Sequence, residues 1–231
     1  DKPVLIKNPV NPDLSLWLGA VERFYSCNIK NLGVIHRGFS TYEKTNYRNN
    51  PEWQIAIELQ NKFPDLPLIL DPSHIAGRRD IIFDLCQTAL GLNYDGFMIE
   101  THHDPDNAWS DAAQQVTPSN LIKIIKDLKI RKITDHADEY KNNLNNLRTK
   151  INLVDSQLLD ILGKRMNIAE EIGVLKKENN VAVLQSKRWN EILEKMIADG
   201  KKKDLSEQFI LRVFKAIHQE SINHQQSIFK Q

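Results

Sequence analysis

Charge of one sign is missing from this sequence. Its 31 Lys and Arg stand against 30 Asp and Glu, a formal net charge of +1 over 231 residues. A chain so balanced has no basic field for nucleic acid or anionic lipid, and neither is expected as a partner. Long apolar runs are missing too. None approaches the roughly 20 residues of a transmembrane helix, and no signal-peptide pattern opens the chain. Cysteine is scarce: Cys27 and Cys86 give no disulfide framework and fit a reducing cytoplasm. Both lie in helical contexts, so buried filler is the expectation for each. What is present, 41% hydrophobic and 26% charged residues, belongs to a globular protein of one large or two smaller domains. The sequence opens on Asp1 and runs straight into a strand-like stretch, which suggests a piece of something longer.

The first part reads as four strand–helix units. β-rich runs at 3–7, 33–37, 66–71 and 96–100 are each followed by a helical pattern, at 14–25, 52–62, 79–90 and 118–128. The spacing of roughly 30 residues is that of a βα unit. Continuous apolar runs such as Leu66–Leu70 suit parallel strands covered on both faces. Proline near the helix starts (Pro12, Pro51, Pro118) agrees with its preference for the first turn.

Chemistry collects at one edge of these units. Lys7, Arg37, His74 and Glu100 each stand at or just past the C-terminal end of a strand, the edge where parallel α/β folds bind ligands. Lys7 and Arg37 are cations suited to phosphate or carboxylate. His74, Glu100 and Asp111 are metal-ligand types from separate loops. A mixed imidazole–carboxylate set favours Mn, Fe, Co or Zn over Ca or Mg. Alone, His74 is equally a turn histidine and Asp111 equally a cap; together they favour a metal.

These residues carry a resemblance. Lys2-Pro3-Val4-Leu5-Ile6-Lys7, His36-Arg37-Gly38 with Thr41-Tyr42-Glu43, Asp71-Pro72-Ser73-His74 with Gly77-Arg78-Arg79, Ile99-Glu100-Thr101-His102, and Ser110-Asp111 with Gln114 resemble the short bacterial 3-deoxy-arabino-heptulosonate-7-phosphate (DAHP) synthases. The resemblance covers about residues 1–128 and implies the last four βα units of a TIM barrel. It implies that His74, Glu100 and Asp111 hold a divalent metal and that Lys7 and Arg37 hold phosphoenolpyruvate, which the family condenses with erythrose 4-phosphate. Many relatives have Lys-Arg-Gly at Lys7-Asn8-Pro9 and an acidic residue at His36. The family's fourth metal ligand, a cysteine on an early strand, has no counterpart in Cys27 or Cys86. A further catalytic lysine and a phosphate-binding arginine of its first half have none either. The expectation is half a barrel without synthase activity of its own.

Residues 129–142 are polar, without a core pattern, and read as a linker. A helical domain at 143–231 follows. Leu147, Ile151, Val154, Leu158, Ile161, Ile168, Ile172 and Leu175 recur at threes and fours, the stripe of a long amphipathic helix. Arg165 stands where the next apolar residue is due. Lys176, 11 residues on, returns to within about 20° of the same face. Arg148, 17 residues before Arg165, points about 100° away, toward a different neighbour. A cation in an apolar seam meets an anion or leaves. One such arginine is explained by an ion pair or by a side chain reaching to water; three so disposed point to an anionic ligand. A second helix is expected from Ser186, as N-cap, to Ala198, with Gly200 as its stop. A third follows Ser206 and runs to about Phe229. On it Ser221 and Gln225, four apart, would by themselves be ordinary surface.

Leu147-Arg148-x-x-Ile151, Asp155, Leu158-Leu159, Arg165, Ile172-Gly173, Lys176, Leu184 to Trp189, and Ser221-Ile222-x-x-Gln225 resemble the all-helical chorismate mutases over about residues 143–229. The resemblance implies a domain-interlocked homodimer. Arg148 would serve the partner's site, while Arg165, Lys176, Arg188, Ser221 and Gln225 would serve their own. Lys176, Gln225, Arg165 and Arg148 take the catalytic roles. Some relatives carry acidic residues at Gln185 and Trp189, where contacts to the substrate hydroxyl are made. Converting chorismate to prephenate is a rearrangement within one molecule, needing no nucleophile, metal or proton transfer. It needs a dianion held in a compact shape and stabilisation of charge on the breaking ether oxygen. The fold class expected is therefore α/β plus all-α, with two cytoplasmic shikimate-pathway functions. A binding or dimerisation module without turnover is the alternative for the helical part.

Overall fold

The computed structural model describes residues 2–42, 45–130 and 138–230. It divides into two compact units, Asp1–Thr134 and Asp135–Gln231. Half of the expected linker, 131–137, and Glu43 of the second motif lie outside the described residues, while 138–142, expected as linker, are already helical.

In the first unit, β1 (Val4–Lys7), β2 (Leu32–His36), β3 (Leu68–Leu70) and β4 (Gly96–Phe97) form one parallel sheet in the order β1-β2-β3-β4. Sequential order is the arc of a (βα) barrel, since every crossover returns the chain one strand along. The crossovers are α1 (Leu14–Ser26), α2 (Trp53–Lys62) and α4 (Ile82–Gly91), with the single-turn α3 (Pro72–Ala76) directly after β3; α5 (Pro118–Asp127) follows β4. Trp17 and Val21 of α1, Ala56 and Leu59 of α2, and Ile82, Leu85, Cys86 and Ala89 of α4 are buried against β2 and β3 residues Leu32, Val34, Leu68 and Leu70. Cys86 is the buried filler its context suggested, and burial pushes its thiol up to about 12. Cys27 is not. It occupies the C-cap of α1 and is exposed, because that helix ends one residue before it.

β3 and β4 are shorter than the apolar runs implied. The chain leaves the ladder at Asp71, whose side chain accepts from His74 N–H at 3.1 Å and starts α3. After Phe97 the strand direction continues to Glu100 by single bonds, Met98 N–H to Leu70 O at 2.8 Å and Glu100 N–H to Ser73 Oγ at 3.0 Å. Two further turns, Pro105–Asn107 and Ala112–Gln114, were not visible in the sequence.

Among its described residues the second unit has three helices: α6 (Asp138–Glu178), α7 (Ser186–Lys201) and α8 (Glu207–Lys230). At 41 residues, α6 is about 60 Å long. Its C-terminal part packs on α8, burying Met166, Ala169, Ile210, Ser221 and Gln225. Gly173 permits the close approach: a Cβ there would lie 3.1 Å from Gln225 Cα. Among the described residues of this unit, the earlier part leaves its apolar stripe uncovered. Leu147, Ile151, Val154, Leu158 and Ile161 are each more than half exposed.

Two helix-end expectations change. α7 begins at Ser186 with Gln185 in the cap position, and Gln185 makes no side-chain cap bond. Gly200 does not stop α7, which continues to Lys201. A Cβ at Gly200 would meet Ile210 Cγ1 at 2.6 Å, so glycine serves close packing there. The left-handed turn falls instead on Asp204, φ 58°. Among the described residues no helix is long and apolar enough to cross a membrane.

Candidate functional sites

Each unit brings together side chains that are far apart in sequence. In the first, the network starts at Asp71, buried at the end of β3. Its Oδ2 lies 3.0 Å from Lys7 Nζ and 2.8 Å from His74 Nδ1. His74 Nδ1 stands at ion-pair distance from this carboxylate without the alignment of a hydrogen bond, and the other ring nitrogen is left free to ligate. That other nitrogen, Nε2, lies 3.6 Å from Glu100 Oε1. Glu100 Oε2 accepts from Gln114 Nε2 at 2.8 Å, and Gln114 is fully buried. Arg48 donates to Gln114 Oε1 and to Asp111 Oδ1, both at 2.7 Å. This hydrogen bond from Arg48 holds the Asp111 carboxyl below the usual carboxylate range. One ligand atom from each of His74, Glu100 and Asp111 lies within 4.8 Å of the others. An imidazole backed by a carboxylate, with two further carboxylates on one side, is a donor set that fits a divalent ion.

Arg37 is set beside this cluster through asparagines. Asn8 Oδ1 accepts from Arg37 N–H at 2.6 Å, and Asn49 Oδ1 accepts from the Arg37 guanidinium at 3.2 Å. Asn49 in turn donates to the His74 carbonyl at 2.7 Å. Gly38, φ +79°, makes this possible, since a Cβ there would meet Asn49 O at 2.8 Å. His36, which precedes Arg37, faces inward instead. It is fully buried among Trp17, Phe39, Trp53 and Tyr94, with Nδ1 2.8 Å from Tyr94 Oη. Burial lowers its pKa to about 4, so it is neutral.

In the second unit, α6, α7 and α8 enclose a cavity of about 460 Å³. Arg165, Lys176, Gln185, Arg188, Ser221 and Gln225 all line it. Arg165 donates to Ser221 Oγ. Lys176 Nζ donates to Val183 O at 2.6 Å and to Gln225 Oε1 at 3.1 Å. Arg165 and Lys176 thus meet neutral oxygens, and among the described residues no acidic one lines the cavity. Burial holds the pKa of both Arg165 and Lys176 below their ordinary values. Partly desolvated cations without counter-ions are costly in an empty site and attractive to an anion. Ser221 and Gln225 are buried, not surface residues, because the face they share meets α6. Arg188 is exposed and pairs with Glu191 at 3.4 Å. Arg148 is exposed on the uncovered part of α6 and does not line this cavity.

Four participants escaped sequence reasoning as site residues. Asp71 and Gln114 stood inside quoted motifs but were given no role there. Arg48 sits in an irregular stretch with no periodic signal. His218 lines the helical cavity; its spacing of three from Ser221 would have placed it on that face.

Comparisons with known proteins agree with this division. Residues 1–137 match the family described as DAHP synthetase I, and residues 147–226 match chorismate mutase type II. A phospho-2-dehydro-3-deoxyheptonate aldolase of Thermotoga maritima is 31% identical over 131 residues, 56% of this chain and 38% of that protein. A bifunctional chorismate mutase/prephenate dehydratase of Escherichia coli K12 is 34% identical over 91 residues, 39% of this chain and 24% of that protein. Among solved structures, a truncated 3-deoxy-D-arabino-heptulosonate 7-phosphate synthase from Thermotoga maritima superposes with a TM-score of 0.51 at 28% identity, covering 55% of this chain and 47% of that one. The chain spans less than half the length of these relatives.

Proposed function

The chain belongs to the DAHP synthetase I family and carries a type II chorismate mutase segment, and from that premise we propose that its helical unit converts chorismate to prephenate. The observation that carries the reading is the acid-free cavity with two partly desolvated cations. A dicarboxylate supplies the counter-charge the protein withholds. Arg165, steadied by Ser221, clamps one carboxylate. Lys176, held between Val183 O and Gln225, donates to the ether oxygen as its bond to carbon breaks. Gln225 can turn its amide N–H to the same oxygen. No proton need move. Catalysis comes from holding the two reacting ends together and from donors fixed where charge develops.

Arg148 and the exposed stripe of α6 support a homodimer. Five large apolar side chains in register along the helix exceed what a solvated helix face presents. A second copy laid along them would bring its Arg148 to this chain's cavity, completing the carboxylate clamp, with Arg188 and Gln185 at the rim.

For the first unit we propose binding of phosphoenolpyruvate through Lys7 and Arg37 and of Mn, Fe, Co or Zn through His74, Glu100 and Asp111. When bound, such an ion supplies Lewis acidity toward an aldehyde oxygen, erythrose 4-phosphate being the substrate proposed. Asp71 orients His74 and steadies Lys7; Gln114 orients Glu100. We assign these binding roles to this half, and not synthase turnover by it alone. Two unpaired cysteines fit a cytoplasmic setting.

The test is chorismate loss and prephenate formation by the full chain, with Arg165→Ala as control. Turnover that disappears in the variant is the expected result. No turnover alongside retained prephenate binding would make the cavity a sensor.

A further inference from the structure

One wall of the helical cavity is a stacked pair. His218 of α8 lies flat on Trp189 of α7, ring centroids 3.9 Å apart and planes 12° apart. Both residues line the cavity. His218 precedes Ser221 by three residues and Gln225 by seven, so the three follow one stripe of the helix. The indole covers one face of the imidazole and fixes the plane in which its nitrogens point.

The described groups around this ring are cationic or neutral. α6 contributes Arg165 and Lys176, α7 contributes Arg188, and α8 itself adds uncharged Ser221 and Gln225. Glu191 pairs with Arg188, Glu170 and Glu220 both stand against His224, and none of the three lines the cavity. Burial first, and then the charges of Arg165 and Lys176, keep the His218 pKa below its ordinary value. The imidazole is therefore neutral in the empty cavity near neutral pH. A dicarboxylate seated on Arg165 and Lys176 reverses the local field, because two negative charges then stand where only positive ones did. An imidazolium becomes the favoured form, and the indole face beneath it adds cation–π attraction.

We propose that His218, braced by Trp189, is a further anion-binding group of this cavity, which takes up a proton as a dicarboxylate enters. The proposal rests on reading the cavity as a chorismate and prephenate site, but it requires only that a dianion bind, not that it be converted. Linkage sets the consequence: the bound state holds more protons than the free state, so affinity rises as pH falls toward the histidine range.

The test is prephenate binding to the full chain by calorimetry between about pH 6 and pH 8, each point in two buffers of different ionisation enthalpy. Net uptake of a sizeable fraction of one proton per site is expected near pH 6, with binding several-fold tighter than at pH 8. His218→Gln should still bind prephenate but lose both the uptake and the pH dependence. In the unmutated chain, the His218 imidazole resonances should move toward the imidazolium position on adding prephenate, a readout independent of any variant. No proton uptake, uptake that survives in His218→Gln, or no prephenate binding overturns the proposal. Chorismate turnover by the same chain separates the two readings. Turnover without uptake removes this proposal and leaves the mutase; uptake without turnover does the reverse.

Discussion

Lys176→Met separates a catalytic cation from a structural one. Methionine keeps most of the length of the side chain, one atom short of lysine, and removes its charge and donors. In the protein as it stands, Lys176 Nζ gives one hydrogen bond of 2.6 Å to Val183 O and one of 3.1 Å to Gln225 Oε1. Hydrogen bonds from a charged donor contribute about 1.5–3 kcal/mol each. Against them stands the cost of keeping an ammonium partly desolvated with no carboxylate beside it, which offsets part of them. Water can enter a cavity of about 460 Å³ and satisfy both oxygens once the ammonium is gone. The net change in stability should stay within about 1 kcal/mol, roughly 4–8 °C in Tm for a unit of this size. Turnover is different. A donor fixed on developing negative charge supplies about 2.7–4 kcal/mol to the transition state, so its loss should lower kcat about 10²–10³-fold. KM should change less, because Arg165 and the other carboxylate contacts remain. The assays are chorismate turnover with kcat and KM resolved, and thermal unfolding of the same samples. A loss in kcat/KM below tenfold would refute the role at the ether oxygen. A Tm drop well beyond about 8 °C would mean that the ammonium is structural.

His36 makes the first unit acid-sensitive. Its folded pKa of about 4 lies below the ordinary 6.5, so the unfolded chain binds the extra proton, and stability is lost as pH falls from 6.5 toward 4 by up to roughly 3 kcal/mol. Urea midpoints across that range should show the slope, and His36→Gln should flatten it. Gly38→Ala places a Cβ 2.8 Å from Asn49 O at φ +79°, and should destabilise the same unit by about 1–3 kcal/mol in urea unfolding. Gln114→Leu removes the group that orients Glu100 and bridges to Arg48; Mn²⁺ affinity, read by calorimetry on the full chain, should fall about 10–100-fold.

Much of the architecture was legible because the two periodicities are clean. Strands of continuous Val, Ile and Leu, each followed by a helical stripe, specified the parallel arc, and the stripe from Leu147 to Leu175 specified α6 except for its polar first turns, where the expected linker at 138–142 is helical. The miss at Cys27 has a local cause: a residue just past the last turn reads as helical but caps the helix in solvent. The miss at Gly200 has a tertiary one, since a glycine near a helix end is read as a stop unless the partner that needs its missing Cβ, here Ile210, is known. Candidate ligands at strand ends were visible as residue types, but the residues that orient them were not. Asp71 and Gln114 act through contacts across 64 and 14 residues, to Lys7 and Glu100, and no local pattern encodes those. Ser221 and Gln225 were ambiguous for the same reason; only the α6–α8 packing buries them.

If two copies of the helical unit share their active sites through Arg148, mixing two inactive variants shows it most directly. Arg148→Ala leaves a chain whose own cavity is intact but which gives nothing to its partner. Arg165→Ala leaves a chain with a damaged cavity that still donates Arg148. Unfolded together and refolded in equal amounts, half of the dimers are mixed, and each mixed dimer has one complete site. Chorismate mutase activity should therefore return to about one quarter of the unmutated level. A mixture no more active than the two variants apart would contradict the shared site.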